Sequence, residues 1–289
     1  MIQIHVDVDN LWVYEQEYGI KISPDREYIY TQSLPLFLKI LKKYKSKATF
    51  MIIGKDLQLQ AARDFCIRAL REGHEIGNHT WSHPTSFGSF SYEEKKREIA
   101  RAHRKLTKIC GKEPVGFRGP GYYVDDDIRD ILKDLRYAYD ASILPGFAQL
   151  LMSMYARMCG GENKEKMFGR GGDLFSKITP YKVDGIWELP VSVLPLLRFP
   201  IHTTFAYIFG SIYRRFIVQY LHAKPSYVLY VFHAIDFVDL PKKDGNYPVV
   251  PLRYSFKERL QFANTIVDEL VLANGEPLKT SERMYTTFI

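Results

Sequence analysis

"MIQIHVDV" (Met1–Val8) is followed by "TQSLPLFLKILKKY" (Thr31–Tyr44) and then by "KATFMIIG" (Lys47–Gly54), and these three stretches set the fold. The first alternates apolar and polar residues with period two, as a strand does. The second has helical periodicity, with lysines on its far face. The third is a short continuous apolar run, suited to a strand buried on both sides. A strand, a helix and a second strand make one βα crossover.

The alternation continues along the chain. "DLQLQAARDFCIRALREGH" (Asp56–His74) reads as an amphipathic helix ending at Gly73, and "EIGNH" (Glu75–His79) as a short extended segment. "SYEEKKREIARAHRKLTKICG" opens with Ser91 at an N-cap, carries acids in its first turn and stops at Gly111. "VGFRG" (Val115–Gly119) is a strand end, "DDDIRDILKDL" (Asp125–Leu135) a helix and "RYAYDASI" (Arg136–Ile143) another strand. "SYVLYVFHAID" (Ser226–Asp236), "SFKERLQFANTIVDELVLA" (Ser255–Ala273) and "EPLKTSERM" (Glu276–Met284) close the chain as strand, helix and short strand. Six or seven such units favour a distorted (β/α) barrel of about seven parallel strands over an open sheet. The expectation is one domain over residues 1–289, with an inserted, membrane-contacting segment around 144–183, where the regularity breaks.

Bulk properties narrow the function. The chain has 289 residues, 46% hydrophobic and 25% charged, which is the make-up of a folded globule. Its formal charge is +7, yet the densest basic run, "KILKKYKSK" (Lys39–Lys47), reads as an exposed helix face leading into a strand, so nucleic acid is not expected as a partner. Cys66, Cys110 and Cys159 include no close-spaced pair, which excludes a disulfide framework and a thiolate zinc site. The N-terminus has no signal-peptide pattern and no run is long enough to span a bilayer, so a cytoplasmic location is expected.

The residues with chemical potential sit where strands end. On "HVDVDN", Asp7 and Asp9 share one face. Adjacent carboxylates repel unless a cation neutralises them or one is protonated, although the same pattern also suits a strand end capping a turn. "HEIGNHTWSHP" (His74–Pro84) places His79 and His83 four apart, which on a helical turn puts both imidazoles on one side. With Asp9 they make three ligands, a number that leaves a position open for water and marks a catalytic metal. His74 reads as a core or supporting residue, not a ligand. In "FRGPGYY", Arg118 precedes a rigid Gly-Pro-Gly turn whose backbone is free to approach a ligand. Asp140 in "YDASI" and His233 in "YVFHAIDF" end two further strands; each alone reads equally as an ordinary core or turn residue.

Taken in this order, the motifs resemble those of the NodB-homology polysaccharide deacetylases, carbohydrate esterase family four, from Ile2 to about Phe237. The resemblance implies a metal-dependent hydrolase on a distorted (β/α) barrel that removes acetyl groups from N-acetylated sugars, with one divalent ion, Zn2+, as cofactor. It implies Asp7 as general base, Asp9, His79 and His83 as metal ligands, and Arg118 as the residue that orients and tunes the base. It further implies the Gly121 N–H as oxyanion donor, Tyr122 and Trp187 as cleft-lining residues, His233 as general acid and Asp140 as the acid's partner. The family's commonest form has adjacent aspartates, whereas Val8 separates them here. That spacing resembles a branch containing intracellular peptidoglycan-deacetylase-like proteins, allantoinase-like amidases and the deformylase of lipid-linked aminoarabinose.

Two apolar, aromatic stretches bear on the substrate: "GFAQLLMSMYARM" (Gly146–Met158) and "VLPLLRFPIHTTFAYIFGSIYRRFIVQYL" (Val193–Leu221). They read either as internal packing or as an interfacial surface on which Arg157, Arg198, Arg214 and Arg215 meet phosphate of an anionic membrane. The expected protein is a cytoplasmic, peripherally membrane-associated N-deacetylase or deformylase of a polyprenyl-phosphate-linked or otherwise lipid-linked amino sugar. The alternatives are a soluble amidase of the peptidoglycan-deacetylase-like kind and a catalytically silent, carbohydrate-binding member of the fold.

Overall fold

A computed structural model describes residues 1–23, 25–147, 171–240 and 248–282. Their strands alternate with helices along most of the chain. The strands are β1 (Ile2–Val8), β2 (Thr49–Ile52), β3 (Glu75–Asn78), β4 (Gly116–Phe117), β5 (Tyr139–Asp140), β6 (Tyr181–Val183), β7 (Ile186–Glu188) and β8 (Val228–His233). This is a mixed α/β architecture, mostly parallel, of the distorted (β/α)-barrel kind. The antiparallel exception is β6 against β7. Its cause is local: Asp184 and Gly185 both take positive φ (51° and 90°), the Asp-Gly turn that joins two strands directly. It directly follows the stretch expected as an insertion around 144–183, of which residues 148–170, with most of "GFAQLLMSMYARM" and Arg157, lie outside the described residues.

The chain divides into two compact units. The first comprises the described residues of Met1–Phe50, Leu59–Glu75 and His202–Met284. Here β1 and β8 run parallel, Ile2 opposite Val228 through Asp7 opposite His233. All seven β1 residues are buried, so this strand is covered on both faces. Helix α2 (Leu34–Lys43) buries Leu34, Phe37, Leu38 and Leu41 and turns Lys42 and Lys43 toward its C-terminal carbonyls, where cations are favoured. Phe37 stacks on Phe237 at 4.4 Å and meets Phe50 and Phe232, giving the unit an aromatic core. The long closing helix, Phe256–Asn274, starts at a Ser255/Glu258 capping box and stops at Gly275 in the left-handed region. The expected closing strand is absent from the described residues: Glu276–Glu282 forms single contacts instead, such as Lys47 N–H to the Leu278 carbonyl.

The second unit comprises the described residues of Met51–Gln58 and Ile76–Ile201. Within it β4 pairs in parallel with β3 and β5, and β5 with β7. Helix α4 (Tyr92–Cys110) carries the capping box expected at Ser91, with Glu94 completing it, and ends at Gly111 in the left-handed region. The core packs Phe87, Ile99, Phe117, Ile128, Ile131, Leu132 and Tyr137 together. Of the expected strand over 136–143, only Tyr139 and Asp140 pair.

Candidate active site

In the first unit, chemistry collects at the C-terminal ends of β1 and β8. Their register sets Asp7 beside His233, with Asp7 Oδ2 3.8 Å from His233 Nε2. Asp7 and Asp9 are both buried. Tyr14, on α1 (Leu11–Tyr18), donates to Asp9 Oδ2 at 3.4 Å. Burial and then the Asp9 charge hold that phenol well above its usual range, so it stays a donor. Asn10 accepts Leu11 N–H at 2.7 Å and starts this helix, fixing the chain just past Asp9. His233 is tied by its own N–H to Asp236 Oδ2 at 2.9 Å, and its Nδ1 lies 3.4 Å from Thr204 Oγ1. Burial pushes Asp236 up to about 6 against the opposing pull of His233.

His79 and His83 lie in the second unit, just past β3. The spacing does not fall on a helical turn: 79–83 is a loop, with Thr80 (φ 63°) and His83 (φ 48°) in the left-handed region. Such conformations at non-glycine residues persist only when neighbours enforce them. Glu98 on α4 does so, accepting Trp81 N–H at 3.1 Å and Ser82 N–H at 2.8 Å on one oxygen and Ser82 Oγ–H at 3.0 Å on the other. Asn78 accepts Thr80 N–H at 2.9 Å while donating to the Ile99 carbonyl and Tyr137 Oη. The two imidazoles end 5.0 Å apart, centre to centre. His79 Nδ1 is 2.7 Å from the Arg118 carbonyl, which can only accept, so Nδ1 carries the proton and Nε2 keeps its lone pair. His74 is different in kind: its Nδ1 accepts Ala48 N–H at 3.2 Å, and its ring meets Phe50 edge-on.

Arg118 is wholly buried beyond β4, its guanidinium 5.6 Å from the Tyr122 ring. The turn that follows has Gly121 (φ 61°) and Tyr122 (φ 59°) both left-handed. Gly119 is required there, because a Cβ would run into the Tyr123 carbonyl oxygen. Asp140 accepts from Ser142 Oγ at 2.5 Å, and Ser142 Oγ in turn accepts Gly119 N–H at 2.8 Å. Trp187 on β7 is half-buried with Lys182 Nζ 5.1 Å over its ring.

Among the described residues, Asp9, His79 and His83 each offer one ligand atom of the types that hold a metal ion. Two carboxylate-free imidazole donors and one buried carboxylate suit a divalent cation of zinc type.

The cationic residues assigned to a membrane divide differently. Arg198 donates through Nη1 to the Leu174 and Ser176 carbonyls at 2.5 and 3.0 Å. Arg214 lies over the Tyr207, Tyr254 and Phe262 rings at 5.1–5.9 Å. Arg215 is exposed. Around it, on the helix Gly210–His222 and its approach, Ile212 and Phe216 are 69% and 54% exposed, with Ile208 and Phe209 also open. Between Glu188 and Asp236 the sequence has no Asp or Glu, although the chain carries 33 in 289 residues; the acids near this helix come from the closing helix, with Glu258 beside Arg214 and Arg215 and Glu269 paired with His222. No helix of the described residues is long and apolar enough to cross a membrane.

Sequence reading missed Asn78, Glu98, Ser142, Glu188 and Asp236 as supports. Asn78, Ser142, Glu188 and Asp236 each stand within three residues of a candidate residue, whereas Glu98 is 15 residues beyond His83.

The polysaccharide deacetylase family model matches residues 22–139, a span that includes His79, His83 and the Arg118–Tyr122 turn. The peptidoglycan-N-acetylmuramic acid deacetylase of Bacillus subtilis is 38% identical over 96 residues, 33% of this chain and 20% of that protein. A peptidoglycan-N-acetylglucosamine deacetylase of Bacillus cereus is 37% identical over 103 residues, 36% of this chain and 46% of its own length. The matches thus span less than half of either relative. Among solved structures, a Mycobacterium smegmatis protein assigned as a polysaccharide deacetylase superposes over 98% of this chain and 87% of its own, with TM-score 0.59 and 15% identity, a likeness of fold. Residues 22–139 are thus similar to the polysaccharide deacetylase (NodB, carbohydrate esterase four) family, and the fold is of the same kind.

Proposed function

We propose that this protein is a metal-dependent N-deacetylase of an amino sugar, with Asp9, His79 and His83 holding one divalent cation, Zn2+. The observation that carries the reading is that ligand set, with His79 Nδ1 anchored so that Nε2 is left to bind. When bound, the cation supplies a Lewis acid for the amide carbonyl and a lowered pKa for water. Asp7 takes the proton of the attacking water. The Gly121 N–H, offered by a turn held in the left-handed region, donates to the oxyanion, and buried Arg118 adds fixed positive charge. His233, as imidazolium, protonates the departing amine, and Tyr122 and Trp187 line the sugar cleft.

The finer reading is a lipid-linked amino sugar, N-acetyl or N-formyl, met at an anionic leaflet from the cytoplasmic side. It is supported by the acid-free stretch and by Ile212 and Phe216 standing open beside Arg215. The competing substrate is peptidoglycan, favoured by the names of the matched relatives. Mass spectrometry of the zinc-loaded protein with a short-chain polyprenyl-phosphate N-acetyl amino sugar and, separately, with peptidoglycan fragments decides between them. Loss of 42 mass units (~42, one acetyl exchanged for hydrogen) from neither substrate refutes the deacetylase reading.

A further inference from the structure

Two buried carboxyls lie next to each other on adjacent parallel strands. Asp140 on β5 is the register partner of Glu188 on β7, so their side chains emerge on the same side of the sheet one strand spacing apart. Both are almost fully buried. Two buried carboxylates side by side repel and have only acceptors, so a bond between them needs a proton. Burial raises both groups, and Glu188 is held well above the carboxylate range by burial and then by the Asp140 charge. Asp140 is opposed in this by Ser142, Glu188, Arg129 and Arg118, which favour its ionised form. The proton therefore sits on Glu188, which donates to Asp140. Besides these groups, Tyr181 faces Glu188, and burial raises that phenol to about 12, so it is neutral.

The direction of the remaining bonds follows. An ionised Asp140 can only accept, so Ser142 Oγ–H points at Asp140 Oδ1 and its lone pair receives Gly119 N–H. Glu188 is fixed in turn by Ile143 N–H, which donates to its Oε1 at 3.3 Å. A single chain runs from Glu188 through Asp140 and Ser142 to the residue that opens the Gly119–Tyr122 turn. That turn has two successive left-handed residues and no room for a Cβ at Gly119, so it needs an external hold. Hydrogen bonds in such a chain polarise one another, most of all when it ends on a charge.

We propose that Glu188, in its protonated form, and Ser142 are positioning residues that act through Asp140 to hold the Gly119–Tyr122 turn, and with it the Gly121 N–H, in place for the oxyanion. The role of the turn rests on the deacetylase reading; the shared proton does not. Removing the Ser142 hydroxyl breaks the chain without touching substrate, so Ser142→Ala lowers kcat about tenfold at unchanged KM, and Ser142→Thr restores most of it. Glu188→Ala leaves Asp140 without its donor and also lowers kcat; Glu188→Gln, whose amide N–H can donate but not ionise, recovers activity.

The test pairs kinetics on a zinc-loaded protein and an N-acetylglucosamine oligomer with infrared spectra at about pH 7. The native protein shows the carbonyl band of a protonated buried carboxyl, and Glu188→Gln lacks it. The Gly119 amide resonance moves in Ser142→Ala and returns in Ser142→Thr. Native kcat in Ser142→Ala, or loss of activity through KM alone, overturns the positioning role while the deacetylase reading stands. Absence of the Glu188-dependent band overturns the shared proton. If the native protein deacetylates nothing, the deacetylase reading fails, and with it the role given to the turn, while the band and the amide shift still decide whether the chain exists.

Discussion

Lowering the pH should destabilise this protein through one histidine that takes no part in the chemistry. His74 is buried, accepts Ala48 N–H on Nδ1 and packs its ring against Phe50. A protonated Nδ1 could not accept that bond, and burial followed by the charge of Lys47 lowers its pKa from 6.5 to about 4. The folded protein therefore binds this proton less readily than the unfolded chain does. The stability conferred by the neutral ring is complete above 6.5 and is lost as the pH falls toward and through 4. Integrating over that shift gives about 2 kcal/mol lost between about pH 7.5 and about pH 5, and about 3 kcal/mol by below pH 4. Asp236, raised to about 6 by burial, acts in the opposite sense: its contribution is complete below 3.8 and lost as the pH rises through 6. The measurement must therefore be a difference between two proteins that share Asp236. His74→Gln keeps an acceptor for Ala48 N–H and has no titrating group. Urea unfolding of both proteins at about pH 7.5 and about pH 5 should show the native protein losing about 2 kcal/mol more than the variant. Equal losses in the two would refute the buried neutral histidine.

Three further outcomes test the site and its surroundings. His79→Ala should lose its divalent cation by elemental analysis while His74→Gln keeps it, because only His79 has a ring nitrogen held ready to bind. Asp7→Asn should keep the cation while turnover falls about 10²-fold or more; near-native kcat would place the base elsewhere. Ile212→Ser with Phe216→Ser should weaken sedimentation with anionic vesicles without altering hydrolysis of a soluble N-acetyl sugar, and a native protein that stays in the supernatant at low salt would end the interfacial reading.

How much of this was legible depends on how far each cause sits from its effect along the chain. Asp7 and Asp9 were legible because period-two geometry is local, and β1 has that geometry over its whole length. His79 and His83 were found by spacing, but the geometry inferred from the spacing was wrong. A helical turn needs no outside help, whereas the observed loop depends on Glu98, fifteen or more residues away on another helix, where nothing in "SYEEKKREIA" distinguishes that glutamate from its neighbours. The Asp184-Gly185 turn was visible as a dipeptide and was passed over because its surroundings read as an insertion. The internal partners of Arg198 were hidden for the opposite reason: its flanks are apolar, and only the folded chain brings the Leu174 and Ser176 carbonyls to its guanidinium.

Glu188 shows where that distance becomes chemical. In sequence it is one acid before a proline-bounded apolar run, separated from Asp140 by the whole stretch of 141–187. Parallel pairing makes the two neighbours, and burial then leaves them one proton between them. Neither residue's charge can be read from its own surroundings in the chain; it follows from a register that the hairpin at Asp184-Gly185 helps to set by fixing β7 against β6. A change that slipped β7 by one residue would turn Glu188 to the opposite face and leave Asp140 without its donor. The conformation of the glycine turn would then depend on Ser142 alone, which is why loss of the hydroxyl and loss of the register should resemble each other in kcat but differ in the infrared band.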